Sequence, residues 1–263
     1  NVETSINTIP ASRARGGIPA APGRRMDAGA VGSMVADYPL QLFPPGEKRL
    51  AATLEFLMER CFHQGGFFQE MIHSGVNAYL TLDLAQSLLR AGDARFAELI
   101  RRVAALASAT GQWPEAIHPR TLGGCMGDGQ HGWAAGEWIM MMRNCFIREE
   151  GSSLIIGSGL LPEWLASPDE LSFGPTLTAW GPVSVRLESS ELTLEAEWRG
   201  NAPPIRVAVP GFAPLDAAPA KLSAEVAEAA NRAAKEMENK RKAALEADAA
   251  GEKIGRASCR ERV

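Results

Sequence analysis

Apolar residues recur at helical spacing through the first half of the chain. After the breaker Pro44-Pro45-Gly46, the positions Leu50, Leu54, Leu57, Met58 and Cys61 predict a helix over Glu47–Phe62. The stripe Val76, Leu80, Leu84 and Leu88 predicts a second over Gly75–Arg90, with Ser74 as its cap. Gly92-Asp93 breaks the pattern. Phe96, Leu99, Ile100, Val103 and Leu106 then predict a third over Ala94–Ala109, capped by Asp93. In Gln130–Phe146 the apolar residues Trp133, Ala134, Trp138, Ile139, Met141 and Met142 surround nearly the whole circumference, which predicts a buried helix. Met26–Tyr38 reads as a short helical turn. His63–Ser74 and Gly111–Gly129 read as loops.

At Gly151 the period shortens to two. Leu154-Ile155-Ile156, Leu177/Ala179, Val183/Val185/Leu187, Leu192/Leu194/Ala196/Trp198 and Ile205/Val207/Val209 alternate with polar residues, predicting an antiparallel β-module. A Pro-rich joint, Pro210–Pro219, leads into the Ala-, Glu- and Lys-rich stretch Leu222–Ala249. Its charges pair at i,i+4, as in Glu238/Lys242, and it lacks a Leu/Ile heptad. It reads as a solvated helix or linker, with a partner-binding helix as the alternative. The organisation is therefore a loop or truncated end over 1–25, a helical part over 26–150, a β-domain over 151–212 and a helix or linker over 213–253. Residues 254–263 resemble the translation of a sequencing-adapter oligonucleotide and are expected to be an artefact.

Composition narrows the function classes. The chain has 263 residues, 46% hydrophobic and 22% charged, with net charge −4. Those values suit a globular protein with its own core. Leaving out the last ten residues removes Arg256, Arg260, Arg262, Glu261 and Cys259, and makes the balance more acidic. No basic block precedes that tail, which argues against a nucleic-acid partner. No apolar run reaches about 18 residues, so no membrane span is expected. The four cysteines form no CxxC and the four histidines no HExxH, so neither a disulfide framework nor a metal site is expected. Six Trp against two Tyr points to flat indole surfaces.

The chemistry concentrates between Gly111 and Trp138. This stretch carries Glu115, Asp128, Glu137, His118, His131, Arg120, Gln130, Trp113, Trp133 and Trp138 around a glycine-rich bend. Long loops on rigid scaffolds commonly carry function. Indole faces suit the stacking of sugar rings, and carboxylates and histidines suit hydroxyl recognition. Glycosidic hydrolysis uses one carboxyl to protonate the leaving oxygen and another to activate water. Each residue has a plain reading too. Glu115 can pair with Arg120, Glu137 can be a buried acid satisfied by the loop, and Asp128 can cap the next helix. Trp113 and Trp133 can be core, and His118 and His131 can be ordinary loop and helix-start residues.

The pattern Pro114-Glu115, Gly123-Gly124-Cys125, Gln130-His131-Gly132-Trp133-Ala134-Ala135-Gly136-Glu137 resembles the six-hairpin glycosidase superfamily, the glucoamylase-like and amylo-alpha-1,6-glucosidase-like enzymes. Leu160-Leu161-Pro162-Glu163-Trp164 also resembles the join to the β-domain of such hydrolases. The likeness covers about residues 26–210. It implies the last four helices of an (α/α)6 toroid, followed by an antiparallel β-domain. It also implies inverting action on α-glucosidic linkages, with Glu115 as general base and the general acid in an N-terminal part not present here. On this likeness the fragment alone is inactive. The carboxyls of the whole site would lie roughly 6.5–9.5 Å apart. Trp113, His118, Arg120, Asp128, Gln130, His131 and Trp133 become candidates for substrate binding. The loop at 63–74 falls on the same rim, which adds Gln69, Glu70 and His73. An oligo- or polysaccharide is the expected partner, with no cofactor and no metal. The alternatives are a non-hydrolytic toroid (a sugar isomerase, a lyase-like enzyme or a carbohydrate-binding module) and a structural module for assembly.

Overall fold

Glu47 starts the first long helix by capping it. Its carboxylate accepts the N–H groups of Arg49 and Leu50, and α2 (Lys48–Arg60) then buries Leu50, Leu54 and Leu57. Ahead of it lie the short α1 (Val2–Asn7) and a 3-10 helix, Ala28–Ala36, capped by Asp27 through Gly29 N–H. A computed structural model describes residues 2–9, 15–70, 74–188, 191–210 and 215–217. His73, Leu222–Ala249 and the tail 254–263 lie outside the described residues. The chain divides into two units, Asn1–Ser152 and Ser153–Val263.

In the first unit α3 (Ala78–Ala91), α4 (Phe96–Ala105) and α5 (Gly132–Phe146) follow, then β6 (Ile147–Glu150). α3 packs on both α4 and α5. α3 and α5 run in the same direction. Tyr79 and Trp133, both in first turns, stack at 4.9 Å, and Gln86 and Asn144 meet further along at 3.0 Å. The helix expected over Gly75–Arg90 begins three residues late, and Ser74 does not cap it. Gly75–Val76 are instead held extended as β3. The stretch expected to be loop at His63–Ser74 contains β1 (Phe62–His63) and β2 (Gly66–Gln69). Gln64 and Gly65, both at positive φ (50° and 79°), form the tight turn between them. α4 stops at Ala105, short of Ala109. The Trp113 indole N–H takes the Val103 carbonyl of its last turn at 2.9 Å.

α5 is not buried all round. It packs on α3 along one side, while Trp133, Ile139 and Met140 are 62%, 61% and 37% exposed. Periodicity shows where apolar side chains point, not whether another element covers them. A buried ion network ties the far end of this unit together. The Arg90 guanidinium bonds the carboxylates of Asp37 and Glu150 and the carbonyls of Asp37 and Phe43, and Arg148 also pairs with Glu150.

The second unit holds β7 (Ser153–Ile156), the short α6 (Pro162–Leu165), and the meander β8 (Leu171–Thr178), β9 (Gly181–Glu188) and β10 (Glu191–Ala196). The meander is antiparallel, with Val183, Val185 and Leu192 turned inward. β11 (Ile205–Val207) pairs antiparallel with β12 (Leu215–Ala217) but parallel with β7. The module is therefore not wholly antiparallel. The connection from β7 to β11 is long enough, carrying α6 and the meander, for the parallel return that a short turn forbids. β12 lies at the start of the stretch expected to be helix or linker.

Candidate functional site

A small sheet assembles the site. β1, β2, β3, β4 (Ala116–Ile117) and β5 (Gly124–Met126) pair antiparallel in that order. Val76 opposite Ile117 joins the loop before α3 to the loop before α5. β3 thus stands between β2, from the loop expected at 63–74, and β4, from the loop expected at 111–129. Gly75 permits this approach, because a Cβ there would lie 2.9 Å from the Ala116 Cβ and 3.0 Å from the Ile117 carbonyl oxygen.

Glu115 enters β4 and is half-buried. Its carbonyl accepts the Asn77 Nδ2–H at 2.7 Å, which fixes the loop to the head of α3. Gly127 closes on it from the other side. A Cβ at Gly127 would sit 3.2 Å from both the Glu115 Cβ and its backbone nitrogen. Trp113 accepts the His131 N–H at 2.8 Å, so the loop is anchored at both ends.

Beside Glu115 stands an aromatic cluster. The Tyr79 ring lies 4.9 Å from both the His131 and the Trp133 rings. Burial raises the Tyr79 phenol above its usual range, and the charges of Glu115 and Asp83 raise it further. His131 is oriented as the cap of α5, its Nδ1 accepting Ala134 N–H at 3.3 Å. The indole of Trp133 is largely open, so the cluster offers a flat face next to a carboxylate.

One turn deeper, Asp83 on α3 and Glu137 on α5 follow Tyr79 and Trp133. Glu137 Oε1 accepts Gln86 Nε2–H at 3.0 Å, so its partner is on α3 and not in the loop. Gln86 Oε1 accepts Asn144 Nδ2–H at 3.0 Å, and Asn144 also reaches the Tyr38 hydroxyl at 3.3 Å. Asp83 is missing from the sequence reading. The available signal is an acid within the predicted helix Gly75–Arg90, four residues after a tyrosine.

The remaining candidates scatter. Trp113 is core, 5% exposed, with its ring 5.3 Å from Trp138, so it is no stacking platform. His118 turns inward on its own loop, its Nδ1 accepting the Arg120 and Thr121 N–H groups. Arg120, Asp128 and Gln130 are exposed. Asp128 braces the Gln130 N–H at 3.0 Å and does not cap α5. Gln69 is half-buried in β2, opposite Gly75. Glu70 lines a separate cavity of about 250 Å³ with Arg60, Cys61, His63, Phe68 and Pro119, none of them in the aromatic cluster. Burial lifts the thiols of Cys61 and Cys145 to about 11 and about 12. Among the described residues no cluster of three His, Cys, Asp or Glu is arranged to hold a metal, and no helix is long and apolar enough to cross a membrane. No family model, curated protein or solved structure matches the chain.

Proposed function

We propose that this chain is part of an inverting glycoside hydrolase of the six-hairpin type, acting on α-glucosidic linkages, with Glu115 as general base. The observation that carries the reading is Glu115 held by Asn77 and Gly127 beside the open Tyr79–His131–Trp133 face. The parallel packing of α3 and α5, with α4 returning between them, is also what adjacent inner helices of an (α/α)6 ring require. The open apolar stripe on α5 suits a helix that further members of such a ring would cover.

In this reading a sugar ring stacks on Trp133. The Glu115 carboxylate takes a proton from a water as that water's oxygen bonds to the anomeric carbon. The leaving oxygen receives its proton from a second carboxylic acid, the general acid of the proposed pair. Backbone anchoring of Glu115 keeps the base in one place through this step. The test is maltotriose binding followed by indole NMR shifts. Saturable shifts at Trp133 are expected, and Trp133→Ala is expected to weaken binding at least about tenfold, the scale of a lost stacking platform. In a protein that turns over maltotriose through this site, Glu115→Gln should retain binding and lose turnover. Absence of saturable binding overturns the reading. Binding with turnover indifferent to Glu115→Gln favours the non-hydrolytic alternative.

A further inference from the structure

Two residues at the head of α3 hold two different parts of the proposed site. Asn77 donates its Nδ2–H to the Glu115 carbonyl at 2.7 Å. Two positions on, the Tyr79 ring lies 4.9 Å from the Trp133 ring at an interplanar angle of 31°. The same ring lies 4.9 Å from the His131 imidazole at 53°. Both separations fall where aromatic pairs attract, about 4.5–7 Å. The three rings differ in freedom. Tyr79 is buried, and His131 is fixed by the Ala134 N–H on its Nδ1. Trp133 is 62% exposed. An indole that open turns about its side-chain bonds unless a neighbour holds it. The head of α3 is a firm place to hold it from. The Asn77 N–H donates to the Phe67 carbonyl at 2.9 Å. The Thr81 hydroxyl donates to the Asn77 carbonyl at 2.7 Å and accepts the Phe67 N–H at 2.9 Å. These bonds tie the first turn of α3 to β2, whose Phe67 is fully buried.

We propose that Tyr79 is a positioning residue whose ring sets the plane of the Trp133 indole. Glu115 and the stacking surface are then both referenced to the first turn of α3, one through Asn77 and the other through Tyr79. His131 adds a second ring contact to Tyr79 from the start of α5. A sugar reaches the open indole, while Tyr79 itself presents little surface to it. The angle between a stacked sugar and the Glu115 strand is therefore set before the sugar arrives, which lowers the ordering cost of binding. That consequence rests on the proposed function, whereas the hold of Tyr79 on Trp133 does not.

The experiment is NMR relaxation of the indole N–H groups on the whole chain, with no sugar present. The Trp133 signal is identified by its loss in Trp133→Ala. In the wild type it is expected to be as rigid as that of Trp113, whose indole N–H is held by the Val103 carbonyl. Tyr79→Leu should free the Trp133 indole and shift its resonance, while the Trp113 signal stays in place. Tyr79→Phe should behave as the wild type, because the ring and not the hydroxyl does the holding. If Tyr79→Leu does not fold, Tyr79→Met, also without a ring, takes its place. A Trp133 indole that is mobile in the wild type, or one whose motion is unchanged when the Tyr79 ring is removed, overturns the proposal. Maltotriose affinity is measured separately. Under the proposed function Tyr79→Leu should weaken it about two- to tenfold and Tyr79→Phe should leave it unchanged. A Trp133 indole freed by Tyr79→Leu, with no maltotriose binding by the wild type, removes the glycosidase reading and keeps the positioning role. Maltotriose binding that needs Trp133, with an indole indifferent to Tyr79→Leu, does the reverse.

Discussion

Asn77 is fully buried at the head of α3, and its side-chain amide is what holds the Glu115 carbonyl. Asn77→Ala leaves that carbonyl without its donor. It is expected to cost about 1–3 kcal/mol in urea unfolding, and under the proposed function to lower maltotriose affinity more than helix content. Arg90 is the other residue on which much depends. Arg90→Met strands the buried Asp37 carboxylate and leaves Glu150 with Arg148 alone, and a loss of roughly 3–5 kcal/mol is expected from the same denaturation experiment. The sequence makes Glu115, His131 and Trp133 readable because they share one short motif. Asn77, Tyr79 and Asp83 come from a different helix, and no spacing along the chain says that two helices will meet. Trp113 misleads for a related reason. An indole next to a motif looks like a platform until its N–H is seen satisfying the end of α4.

Between β3 and β4 the backbones approach too closely for any side chain at Gly75. Gly75→Ala should push the two loops apart. The expected result is a destabilisation of about 1–3 kcal/mol and loss of hydrogen-exchange protection at Val76 and Ile117, with α2 unaffected. Gly136 is the opposite case, since a Cβ there meets nothing within 4 Å on the open side of α5. Gly136→Ala is expected to stabilise by up to about 1 kcal/mol, read as a higher melting temperature. The long helices were legible because three or four turns of apolar spacing accumulate a signal. Strands of two to four residues accumulate none. In His63–Ser74 only the Gln64-Gly65 turn betrays the β1–β2 hairpin. The open side of α5 was illegible for a deeper reason, because an apolar stripe is written identically whether or not anything packs on it.

Over the whole molecule, titration sets opposing slopes on stability. Asp83 titrates at about 7 in the folded chain, against about 3.9 for an unfolded aspartate. Between those values the folded chain holds a proton that the unfolded chain has released. Stability therefore falls as pH rises through that window and levels off above it. Glu137 and Asp37, raised by burial, slope the same way. Hydrogen bonds from Arg95 lower Glu55 and Asp93, whose contribution is present above the ordinary carboxylate range and lost as pH falls through their lowered values. Thermal melts should therefore be highest in mildly acidic buffer and decline towards neutrality, and Asp83→Asn should flatten the decline. A melting temperature that climbs steadily to alkaline pH would contradict this. The parallel pairing of Leu154–Ile156 with Ile205–Val207 governs a different property, the order of events during synthesis. A ribosome releases β7 long before β11 exists, so the hydrogen-bonding edge that β11 will occupy waits while the β8–β10 meander is made and can pair within itself. Nascent chains stalled before Ile205 should thus present that edge to chaperones, and those extended past Val207 should not.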